Sequence, residues 1–82
     1  MYSRVEENLH MTRSEVSERY PDSYILMQRD NRDLFDPAGN ILFIGDNYDE
    51  LFSLMMRSDI PLGLVVEGLN HQYSLGGIVV GE

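Results

Sequence analysis

The 82-residue chain contains no cysteine, no lysine and no tryptophan. Without cysteine there are no disulfides, no thiolate nucleophiles and no cysteine-ligated zinc. Without lysine there is no Schiff-base chemistry and no phosphate-binding P-loop. Positive charge is scarce as well: six arginines face fourteen acidic residues, for a formal net charge of −8 and a pI near 4.5. A nucleic-acid binder needs a basic stripe to neutralise phosphates. The closest arginine pairs, Arg29 with Arg32 and Arg13 with Arg19, instead sit among Asp30, Asp33, Glu15 and Glu18. Direct DNA or RNA contact is therefore not expected, and neither is docking on an anionic membrane. The longest apolar run, Ile41–Ile44, is far too short for a membrane span. The charged start Met1-Tyr2-Ser3-Arg4-Val5-Glu6-Glu7 lacks the apolar stretch of a signal peptide. The cytoplasm is the expected location, and the absence of cysteine fits it.

What is present reads as one small globular domain. Hydrophobic residues are 43% of the chain and charged residues 24%, which is ordinary globular usage. A domain of this size buries only about 60% of the surface its unfolded chain exposes, so every apolar side chain it can cover counts. Thr12-Arg13-Ser14-Glu15 is a capping box, with Met11 and Val16 at the positions of a hydrophobic staple. It predicts a helix from Arg13 to Tyr20, ended by Pro21. Val5, Leu9, Thr12 and Val16 also suit one longer helix. The cap at Thr12 interrupts it, so the break is preferred and residues 1–11 are read as an N-terminal extension of a domain spanning 12–82.

Tyr24–Gln28 and Ile41–Ile44 are apolar without alternation and predict two strands of a hairpin with a long polar connection. Within that connection Asp36-Pro37-Ala38-Gly39 suits a type I turn. Asp46 or Asn47 caps a second helix, whose Tyr48, Leu51, Phe52, Met55 and Met56 fall on one apolar stripe. Leu64–Val66 and Ile78–Val80 supply a third and fourth strand. Gly68–Gln72 forms the turn between them, and Gly76-Gly77 suits a bulge or tight approach. The expected class is α+β, a mixed four-stranded sheet with elements in the order α-β-β-α-β-β and one main helix packed on one face. The strand–helix–strand step implies that the second and third strands run parallel.

Tyr20-Pro21, the tyrosine-led strand, Gly39, Gly45-Asp46 and the helix opening at Glu50-Leu51 resemble a group of small uncharacterised bacterial α+β domains. In those, a β-hairpin is followed by one helix and another strand. The resemblance runs from Tyr20 to Val66 and implies topology, with no activity, cofactor or site residue attached. The loop from Asp30 to Asn40 and the extra C-terminal hairpin depart from it.

Few residues suggest chemistry. His10 and His71 are the only histidines, and a His71–Glu67 pair offers neither a nucleophile nor oxyanion donors. There is no Gly-x-Ser-x-Gly elbow and no phosphate-cradling glycine loop. Asp30-Asn31-Arg32-Asp33 and Asp46-Asn47-Tyr48-Asp49-Glu50 are oxygen-rich, yet neither matches an EF-hand loop, and capping accounts for the second. No catalytic residue, no metal ligand and no cofactor is assigned; the protein is read as a non-enzyme.

Binding is the remaining theme. Leu34-Phe35 places two large apolar residues in a polar loop, either as a lid over the sheet end or as a partner anchor. Strands apolar on both faces must be covered on both faces. One helix covers one of them. The short helix after Thr12, about 12 Å long, is too small for a face about 15–19 Å wide. Either residues 1–11 cover the rest through Val5 and Leu9, or another chain does, most simply in a homodimer. Val5, Leu9, Leu34 and Phe35 are thus the candidate partner contacts. The expected role is a small acidic protein-interaction module that self-associates or binds a protein partner. The alternative is an acidic inhibitor, an antitoxin or nucleic-acid mimic, of a basic protein. For the scattered carboxylates, solubility is the simpler account.

Overall fold

Successive side chains of an extended strand point to opposite faces. In the computed structural model, which describes residues 1–30 and 35–71, that alternation sorts the apolar residues into two cores. The elements are β1 (Tyr2–Arg4), β2 (His10–Thr12), α1 (Arg13–Arg19), β3 (Tyr24–Arg29), β4 (Ala38–Gly45), α2 (Tyr48–Ser58) and β5 (Gly63–Glu67). On β3, Ile25 and Met27 join Val16 of α1, Ile41 and Val66 on one face. Leu26 joins Leu51 of α2 and Val65 on the other, with Tyr24, Phe43, Leu54 and Met55 packed around them.

The class is α+β as expected, but the sheet is five-stranded and every pairing is antiparallel. The expectation of a mixed four-stranded sheet and of the order α-β-β-α-β-β is corrected on two points. Residues 2–4 and 10–12 are strands, and both pair with β4. They occupy the β4 edge, so β5 pairs along the free edge of β3 instead. β4 and β5 do run in the same direction, each antiparallel to β3, yet β3 lies between them and no parallel pair forms. The expected strand Ile78–Val80, and Gly76-Gly77 before it, lie outside the described residues.

β4 carries a bulge. Leu26 pairs with Phe43 and Met27 with Ile41, so Leu42 has no opposite number on β3. The extra residue resets the alternation and brings Ile44 and Ile41 to the same face, the one lined by Ile25 and Met27. At the same point the opposite edge is interrupted: Arg4 pairs with Phe43 and His10 with Asn40, and the chain makes an excursion between them. The Val5 amide donates to the Leu42 carbonyl at 2.8 Å, and the Ile41 amide donates to the Leu9 carbonyl at 3.0 Å. Val5 and Leu9 are half-buried against the Val16 core. The sheet face that α2 leaves open is therefore covered by α1 together with Val5, Leu9 and Met11 of the same chain.

The capping box forms as the residues dictate: Thr12 Oγ1 accepts from the Glu15 amide at 3.1 Å, and Glu15 Oε1 accepts from the Thr12 amide at 2.9 Å. The expected turn at Asp36–Gly39 is replaced by strand, since Ala38 and Gly39 pair with β2 and Gly39 also with Arg29. Asp36 accepts instead from the Ser14 amide and hydroxyl, each at 3.0 Å, at the start of α1. Asn47 caps α2 by accepting from the Glu50 amide, and Asp59 ends it in the left-handed conformation at φ 52.

Candidate functional site

The sequence-derived contacts do not gather in one place. Val5 and Leu9 pack into the chain's own core beside the β4 bulge. Phe35 lies at the far end of β4 with 91% of its surface exposed, so it does not close over the sheet as the lid reading expected. Leu34 lies outside the described residues.

Both histidines make contacts within the fold. His71 stacks on Tyr24 with ring centroids 4.2 Å apart, and its Nε2 donates to the Asp22 carbonyl at 3.0 Å. His10 Nε2 lies 2.5 Å from Asp30 Oδ2 across the strands. The acidic cluster at the start of α2 is engaged by the amino terminus: the Met1 ammonium donates to Asp46 Oδ1 at 2.7 Å and to Glu50 Oε1 at 2.5 Å. Hydrogen bonding to Asp46 and then Glu50 raises the ammonium pKa above its ordinary value. The same hydrogen bond lowers the Asp46 pKa, and the attraction of the positive charge adds to it. Among the described residues no three histidine or carboxylate side chains converge as a metal would require. Of the two oxygen-rich runs, Asn31, Arg32 and Asp33 lie outside those residues.

A different surface emerges on α2. The apolar stripe that the sequence gives this helix divides in the structure. Leu51 is fully buried and Met55 and Leu54 are partly covered, whereas Tyr48, Phe52 and Met56 are 41%, 42% and 64% exposed. At about 100° per residue, the positions from Leu51 round to Met56 span roughly 140° of the helix. A sheet face covers only the side of a helix turned towards it, so one flank of so wide an arc stays outside. That width was readable in the sequence and is the signal the stripe offered.

The exposed flank is continuous with ring contacts from the sheet. Tyr24 meets Tyr48 edge to face at 5.9 Å, and Tyr48 lies parallel to Phe52 at 6.0 Å. His71, Tyr24, Tyr48 and Phe52 thus form a row of rings, extended along the helix by Met56. The opposite flank of α2 is polar: Glu50, Ser53 and Arg57 line a shallow depression there with Tyr2, Asn47 and Asp49. Such a row can bury apolar surface against another molecule. No family model, no curated protein and no solved structure matches the chain.

Proposed function

We propose that the chain is a non-enzymatic protein-interaction module that acts in the cytoplasm and meets another protein through the outer flank of α2. The observation that carries this reading is the exposure of Tyr48, Phe52 and Met56 in one row. A small domain that has covered both faces of its sheet still leaves three large apolar side chains adjacent in water, and apolar surface of that kind is where partners bind. The composition supports a protein partner: the excess of carboxylates opposes nucleic acid and anionic lipid alike. Among the described residues no helix is long and apolar enough to cross a membrane.

The test compares the full chain with the double variant Phe52→Asp, Met56→Asp. Each is immobilised at equal density, exposed to lysate of the source cells and analysed by quantitative mass spectrometry. A protein retained by the parent chain and lost from the variant, then rebound as a purified component, supports the module. Equal retention by both removes the α2 surface from the function. A partner released by salt but indifferent to the variant moves the reading to the charge-led inhibitor.

A further inference from the structure

Building on the interaction reading, we propose that the α2 flank seats in an apolar groove on a different protein, and that the groove is rimmed by lysine or arginine. Tyr48, Phe52 and Met56 stand at i, i+4 and i+8, the spacing at which a helix presents anchors to a groove. Their row extends about 12 Å along the axis, two turns of helix.

The border of the row supplies the second half of the inference. Asp49, one turn before Phe52, stands between the row and the depression that it lines with Glu50, Ser53 and Arg57. Asp59, whose amide reaches the Met56 carbonyl, closes the C-terminal end. Glu67 sits opposite Tyr24 in the β3–β5 register at the inner end. All three are carboxylates. Arg57, the one basic residue of α2, belongs to the opposite flank with Glu50. An apolar row bordered by one sign of charge selects a partner of the opposite sign, because such charges steer encounter and penalise like-charged surfaces. A second copy of this chain is the poorer occupant. A two-fold contact through the same patch would bring the carboxylate border of one molecule against the carboxylate border of the other, on molecules that each carry a net charge of −8.

Photocrosslinking of the full chain in its source cells tests this, with p-benzoylphenylalanine in place of Phe52, and in place of Ser53 and Phe35 as comparison sites. The expected result is a heterologous adduct from position 52 and not from 35, its crosslinked site lying among apolar residues flanked by lysine or arginine. With that partner purified, Phe52→Ala with Met56→Ala should weaken affinity about tenfold or more. Asp49→Lys should weaken it further at low salt than at high salt, while Arg57→Ala leaves it within twofold. Circular dichroism of each variant separates lost contact from lost fold. An adduct to a second copy, to the chain's own residues 72–82 or to a groove without basic residues overturns the inference, as does the lack of any adduct from position 52. Of these, only an adduct to a second copy or to a groove of other chemistry leaves the interaction module itself standing. A heterologous adduct from Phe35 alone would likewise keep a module but move its surface away from α2.

Discussion

The Val5 amide donates to the carbonyl of Leu42, the residue that β4 inserts without a partner on β3. Two irregularities thus coincide on neighbouring strands. The bulge in β4 and the excursion of residues 5–9 meet at one point, and the excursion carries Val5 and Leu9 into the core that Ile41 and Ile44 share.

Val5 and Leu9 should therefore behave as packing residues. Leu9→Ala should lower unfolding stability by about 2–3 kcal/mol, towards the low end for core truncations because the site is only half-buried. A chain beginning at Met11 should lose more, since it also lacks the β1 pairing. Urea unfolding followed by circular dichroism reads both. An unchanged midpoint for Leu9→Ala would place that side chain outside the core.

The two flanks of α2 should respond differently to the same truncation. Leu51→Ala removes a fully buried side chain and should cost about 3–5 kcal/mol, whereas Met56→Ala should stay within about 0.5 kcal/mol. Thermal melts of the two variants beside the parent chain decide it, and similar losses would contradict the division of the stripe.

At Gly39 the backbone of β4 passes so close to β3 that a β-carbon would overlap the Gln28 carbonyl. Gly39→Ala must separate the two strands or shift their register, and should cost about 2 kcal/mol or more. Amide exchange should rise first at Asp30, whose amide donates to the Ala38 carbonyl beside Gly39, and less at Arg29, whose amide donates to Leu62 on the other edge of β3.

The capping box gives a smaller and local effect. Thr12→Ala should cost about 1 kcal/mol, with Glu15→Gln largely tolerated because the amide oxygen still accepts from the Thr12 amide. Equal damage from both changes would point to charge and not to the cap.

The amino-terminal contact sets a pH window. The Asp46 carboxyl is held below its ordinary pKa, so its contribution is present above about pH 4 and fades as pH falls through the lowered value. The Met1 ammonium is held above its ordinary value, so its contribution is complete below about pH 8 and is lost as pH rises through the raised one. The stability difference between the parent chain and Asp46→Asn, followed by urea midpoint across pH, should be small, flat between those limits and vanishing on either side. Both groups are fully exposed, so solvent and salt keep the amplitude low.

Local chemistry was legible from the residues themselves. The Thr12–Glu15 box starts α1, Asn47 starts α2, and the apolar runs from Tyr24, Ile41 and Leu64 all lie in strands. Each depends on neighbours a few positions apart, where hydrogen bonding and alternation act directly. The two-sided character of the sheet was legible too, because strands that do not alternate must be covered twice. The spacing of Val5, Leu9, Thr12 and Val16 misled in part, since a period near four arises equally from an excursion that dips twice into one core.

Which edge each strand would take lay beyond the sequence pattern. Backbone hydrogen bonding alone does not say whether residues 2–12 or β5 takes the β4 edge or the β3 edge, and the choice rests on long-range complementarity of register, bulge and face. The exposure of Tyr48, Phe52 and Met56 was settled at the same level: a stripe of apolar residues says that a helix has a greasy side, and only the sheet beneath it decides how much of that side is hidden.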